Sequence, residues 1–187
     1  VDQLLSTTRS VRKRLDTSRR VPRELIEECL TLAFQAPNGS NMNAWRWIVV
    51  DDPALVREVA ALYRKGYERL MTKLGDAVGS NYAGAQIPGA ENIHQSVDEL
   101  LHKMAEVPAL VIPLMDGRPE GKDAFEQACM WGSIVQAVWS LFLALRVRGA
   151  RRLVTVAGAF LGGLALALLP LVARNLLVGA PPLKLAV

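Results

Sequence analysis

The chain has 187 residues, enough to bury a core within one domain. Its 22 Lys and Arg against 18 Asp and Glu give a net charge of +4, which permits an anionic ligand without requiring nucleic acid. Cys29 and Cys129 lie far apart, each in an apolar helical pattern, so a disulfide framework is excluded and both read as buried thiols of a reducing cytoplasm.

A short helix over 2–8 leads into an extended Arg9-Ser10-Val11-Arg12. Arg9, Arg12, Lys13, Arg14, Arg19, Arg20 and Arg23 crowd this end of the chain, a run that by charge alone fits a solvated face equally well. With Asp2, these arginines also interrupt any apolar stretch, so no signal peptide is expected. Pro22 suits the first turn of a helix, and Leu25, Ile26, Cys29, Leu30, Ala33 and Phe34 recur with helical period. Pro37-Asn38-Gly39-Ser40-Asn41 breaks that helix. A strand over 47–50 is closed by Asp51-Asp52-Pro53, which caps a helix running from 54 to about 74.

Residues 75–89, rich in Gly, Ala and polar side chains, read as a mobile loop or lid. A helix over 93–105 precedes a strand over 109–113 and a turn at Asp116-Gly117. The span 123–148 reads as a long helix, apolar around most of its circumference. One face carries Phe125, Ala128, Cys129, Val135, Val138, Phe142 and Leu145, widened by Trp131, Trp139 and Leu143. Such a helix is buried on several sides, in the domain or in a subunit interface. His94 and His102 have no metal-type arrangement and read as helix-surface residues, so no metal site is expected.

No Asp or Glu follows Glu126, and the composition changes after Gly149 to Ala, Leu, Gly, Val, Arg and Pro. The uncharged span 153–173, flanked by Arg151, Arg152 and Arg174, is long enough to cross a bilayer. Ala, Leu and Gly without β-branched enrichment over 161–169 favour helix over strand. Three readings of 150–187 stay open: a shifted reading frame, a membrane anchor, or a diverged apolar helical tail.

Two short constellations carry chemistry. Arg9-Ser10-x-Arg12 sets a hydroxyl between two guanidinium forks, which bind phosphate bidentately and stay charged. Ala36-Pro37-Asn38-Gly39-Ser40-Asn41-x-Asn43-Ala44-Trp45 packs hydroxyls and carboxamides into a turn, and carboxamides both donate and accept, as a heteroaromatic ring edge requires. Alone, each fits an ordinary basic segment or a helix stop. In this order, with Val21-Pro22-Arg23-Glu24-Leu25 opening a helix and Trp47-Ile48-Val49-Val50 as a strand, the sequence resembles the FMN-dependent nitroreductase family. The likeness continues through Pro108-Ala109-Leu110-Val111 and the long helix to about residue 149.

The resemblance implies an α+β homodimer, its central antiparallel or mixed sheet flanked by helices, with FMN in clefts between subunits. It implies that Arg9 and Arg12 hold the phosphate and that Ser10 lies beside the ribityl chain or ring edge. Pro37, Ser40, Asn41 and Asn43 would form the turn that reaches the flavin, from the partner subunit. NAD(P)H is then the co-substrate, with hydride passing through flavin N5 to a nitroaromatic, quinone or similar small-molecule acceptor, so no catalytic side chain is expected. Asn38, Asn43 and Ala44 depart from the family's usual Ser, Gln and Pro. From Ala150 onward nothing matches the segment that normally completes the sheet and contacts the flavin. The expected division is therefore a nitroreductase-like domain over 1–149 and an apolar tail over 150–187, in a cytoplasmic protein. The tail leaves an impaired enzyme, a remnant without productive FMN binding, or membrane association through 153–173 as alternatives.

Overall fold

The computed structural model describes the backbone of residues 1–84, 90–150 and 154–156. Its sheet is built around two short apolar segments rich in Val, Ile, Leu and Trp. Strand β1, Trp45–Val50, pairs antiparallel with β2, Ala109–Met115, in a register that sets Trp47 opposite Pro113 and Val49 opposite Val111. A short third strand, β3, Val154–Val156, adds parallel to the other edge of β2. The order β1-β2-β3 makes the sheet mixed, with β2 central and buried from Ala109 to Pro113, as a strand covered on both faces must be. Pro113 lies beyond the β3 pairing, where a missing N–H interrupts no second ladder.

Strand alternation divides the core in two. On one face Trp45, Trp47, Ala109 and Val111 pack with helix α2, Arg23–Ala33, and helix α5, Ala124–Val147. On the other, Val50, Leu110 and Ile112 pack with Val56, Val59 and Ala60 of helix α3, Pro53–Gly84. Met104 and Val107, around the 3₁₀ turn that follows helix α4, Ala90–Lys103, complete this second cluster. Helix α1, Asp2–Thr7, lies ahead of the basic segment.

Several boundaries differ from the sequence expectation. Helix α3 does not stop near 74 but continues through residues 75–84, where a loop was expected. Each glycine there weakens a helix, yet extending an existing helix avoids the cost of nucleation. Residues 85–89 lie outside the described residues. Helix α5 matches 123–148 almost residue for residue, with Asp123 as N-cap. Its faces differ, however. Ser133, Ile134, Ala137, Val138, Leu141, Ala144 and Leu145 are buried, whereas Phe125, Val135, Trp139 and Val147 are exposed. Val138 thus belongs to the core against α2, and the outward stripe runs through Phe125, Val135 and Trp139. Cys29 is fully buried and burial pushes its thiol up, but Cys129 is only half-buried, contrary to expectation.

The segment after Gly149 also begins differently. Ala150 is 1% exposed and sits in the α2–α5 cluster, and β3 stands where a helix from 153 was expected. The β-branched Val154-Thr155-Val156 is a local strand sequence within an otherwise helix-favouring span. The remainder of the predicted membrane span 153–173 lies outside the described residues. Among the described residues, α5 alone is long and apolar enough to cross a membrane by length and composition, and one of its faces packs on α2.

Candidate functional site

The basic segment leaves α1 in irregular backbone and bends at 12–14. A tight local knot follows, in which the Ser18 hydroxyl (2.7 Å) and Arg19 Nε (2.7 Å) both donate to Asp16. These bonds, the Ser18 hydroxyl first, hold the Asp16 carboxyl down at about 2. Arg19 is therefore spent on Asp16, and Arg23 pairs with Glu27 and Asp51. Arg9, Arg12, Lys13, Arg14 and Arg20 have no carboxylate partner among the described residues. The Arg9 guanidinium donates to the carbonyl of Thr8 at 2.9 Å, while half-buried Arg12 reaches the Ser96 hydroxyl of α4 at 3.5 Å. Lys13 donates to Gln95, and Lys103 donates to the Lys13 carbonyl, so α4 braces this bend from both sides. Ser10 is exposed and its hydroxyl has no partner among the described residues.

The second constellation folds as expected into a turn, centred on a 3₁₀ segment, Gly39–Asn41. Ser40, Asn41 and Asn43 all take left-handed backbone, at φ of 53°, 52° and 49°. Asn accepts this region more readily than most residues, which accounts for two of the three. Asn38 and Asn43 clasp one another: the Asn43 N–H donates to Asn38 Oδ1 at 2.9 Å, and Asn38 Nδ2 donates to Asn43 Oδ1 at 3.0 Å. Asn43 Nδ2 also donates to the Asn41 carbonyl at 3.3 Å. Both ends of the Asn43 carboxamide are thus engaged within the turn. The side chains of Ser40 and Asn41 are exposed and have no partner among the described residues. Pro37, also exposed, separates this turn from α2.

Helix α5 holds both constellations, at different places. The Gly39 N–H donates to Ser133 Oγ at 2.9 Å. Thirteen residues later Arg146 donates to the hydroxyls of Thr7 and Thr8, at 2.7 Å for Thr8, directly ahead of Arg9. At 1.5 Å per residue the two attachments are about 20 Å apart. No hydrogen bond among the described residues joins the basic segment to the turn.

Ser133 and Arg146 were not singled out in the sequence. Both carried a signal: Ser133 is a polar residue one helical turn before Ala137 and two before Leu141 on a buried face, and Arg146 is the first charge in α5 after Glu126.

The sequence profile of the Nitroreductase family matches residues 5–152, and the chain belongs to that family. Similar solved structures include a BluB-like flavoprotein from Clostridium difficile 630, at 18% identity and a TM-score of 0.54. A nitroreductase-like family protein from Bacillus cereus follows at 17% and 0.50, and the FMN-dependent nitroreductase NfnB from Mycobacterium smegmatis, in complex with NADPH, at 21% and 0.50. Each match covers 79% of this chain and, in that order, 70%, 64% and 70% of the other protein. At such identities the likeness establishes the fold. A comparison with curated proteins gave no match.

Proposed function

We propose that the chain is an FMN-dependent oxidoreductase of the nitroreductase type, which takes hydride from NAD(P)H and passes it to a nitroaromatic, quinone or similar acceptor, and that its cofactor site forms between two copies. The observation that carries this reading is the braced turn that leaves Ser40 and Asn41 without partners, in a chain whose Arg9 and Arg12 lack carboxylates. That donor set fits FMN. Guanidinium groups without a carboxylate partner answer a phosphate, and a hydroxyl with a carboxamide answers the donor and acceptor edge of a flavin ring.

When bound, the flavin supplies the two-electron chemistry. The protein's part is positioning. Arg9 and Arg12, with α4 bracing their bend, would hold the phosphate, and the exposed Ser10 hydroxyl lies within the same segment. Ser40 and Asn41 would contact the ring edge of a bound flavin, while Asn43, bonded within the turn, would keep it in shape. The separation of the two constellations along α5 supports a site completed by a second copy, and the exposed stripe of Phe125, Val135 and Trp139 supports an interface on that helix.

The test is titration of the full-length apoprotein with FMN, followed by NAD(P)H oxidation with a nitroaromatic or quinone. Saturable FMN binding and acceptor-dependent oxidation are expected. Arg12→Ala should weaken FMN about tenfold or more, the scale of one charge-assisted hydrogen bond to a phosphate. Unchanged affinity in both Arg9→Ala and Arg12→Ala would remove the phosphate assignment, and a chain that takes up no FMN would overturn the function.

A further inference from the structure

We infer that Ser133 is a positioning residue for the flavin site, because its hydroxyl fixes where on α5 the turn over 38–43 sits. The inference rests on the FMN reading above and deepens it. The turn is closed by its own bonds: Asn38 with Asn43, Asn43 with Asn41, and the Asn41 and Met42 amides on the carbonyls of Asn38 and Gly39. These bonds set its shape, three left-handed residues included, but say nothing of where it lies on the domain. Arg46 of the adjoining β1 donates to the Asn43 carbonyl at 3.5 Å, at the exit of the turn. Among the described residues, one hydrogen bond ties the turn to α5, from the Gly39 N–H to Ser133 Oγ.

Ser133 is built for that task. It is 7% exposed, and among the described residues it and Thr8 are the two buried polar residues. Its hydroxyl proton is committed to the Cys129 carbonyl one turn back, at 2.7 Å, which orients the oxygen's lone pairs as acceptors. The Gly39 amide therefore meets an acceptor fixed by the helix itself. Serine also suits the space: a Cβ on Gly39 would lie 3.5 Å from Ser133 Oγ and 3.6 Å from Cys129 Cβ, ordinary contact distances. Gly39→Ala thus keeps the N–H and the fit, and isolates the hydrogen bond from the glycine. Because α5 also carries the exposed apolar stripe, the same bond references the turn to the surface on which a second copy would dock.

The experiment compares the full-length parent with Ser133→Ala, Ser133→Thr and Gly39→Ala by FMN titration, reading affinity and the visible band of bound flavin, alongside apoprotein melting. Amide hydrogen exchange at Gly39 is measured in the parent. Ser133→Ala is expected to weaken FMN about tenfold and to alter the bound-flavin band, whereas Ser133→Thr and Gly39→Ala stay close to the parent. A protected Gly39 amide is expected, and it decides the matter if Ser133→Ala does not fold. Parent-like affinity and band in Ser133→Ala, or an unprotected Gly39 amide, would overturn the positioning role. A parent that takes up no FMN fails earlier, at the first titration, and overturns the function with it.

Discussion

Tyr63 lies on α3 beneath the basic bend, and burial pushes its phenol up to about 12, although the Arg12 guanidinium nearby pulls the other way. Folding therefore favours the protonated phenol. The stability this contributes is complete below pH 10, the ordinary value, and is lost as pH rises from there through 12. Tyr63→Phe, which has no proton to lose, should flatten the fall in melting temperature across that window. Identical slopes in parent and variant would mean that the buried phenol is not what limits alkaline stability. At this scale the sequence was a partial guide. The tasks expected of Arg9, Arg12, Ser40 and Asn41 stay part of the proposal, and the exposed Asn43 carboxamide is clasped to Asn38. A carboxamide reads the same in sequence whether it faces a ligand or its own turn, and only backbone geometry separates the two.

Helix α5 is the element on which the site hangs, and both its ends are locked by local chemistry. At the start, Asp123 accepts from the Glu126 N–H at 2.8 Å while Glu126 reaches back to the Asp123 N–H, a reciprocal capping box. At the end Gly149, at φ 69°, lets its own N–H reach the Arg146 carbonyl and the Ala150 N–H reach that of Leu145, a Schellman stop. Asp123→Ala and Gly149→Ala should each lower stability by about 1 kcal/mol in denaturant unfolding. With about 36 Å of helix between them the two losses should add, and a clearly non-additive double variant would contradict independent caps. Among the described residues nothing lies within 4 Å of a Cβ at Gly149, so the expected cost is that of backbone strain. These caps explain why 123–148 was legible almost to the residue, since Asp123, Glu126 and Gly149 are local signals. The facing of α5 was not legible. A helix apolar on nearly all sides carries little periodic information, so Val138 and Val135 could be told apart only by what packs on them. Strand β3 was missed because three β-branched residues give too short a run to stand out beside an Ala-, Leu- and Gly-rich span.

For the whole molecule, the proposed dimer is supported by the exposed stripe on α5 and by the separation of the two constellations. Phe125 is 76% exposed and Val135 59%, on the helix whose other face forms the core. Light scattering on the parent should give about twice the 20.4 kDa of one chain, and Val135→Asp should give a folded monomer, because this residue is exposed and lies outside the buried core. A monomeric parent would contradict the interface. The central claim is that the Arg9–Arg12 segment of one copy and the Ser40–Asn41 turn of the other form one flavin site, and mixed dimers test it most directly. One chain carries Arg9→Ala with Arg12→Ala. The other carries Ser40→Gly with Asn41→Gly, which keeps the left-handed backbone and removes only the side chains. Each variant alone should bind little FMN. Co-expressed, the two should recover one intact site in each mixed dimer, about a quarter of the parent's FMN content for random pairing, together with acceptor-dependent NAD(P)H oxidation. If mixed dimers form and recover neither FMN nor activity, each site is built within a single chain, and the account is contradicted.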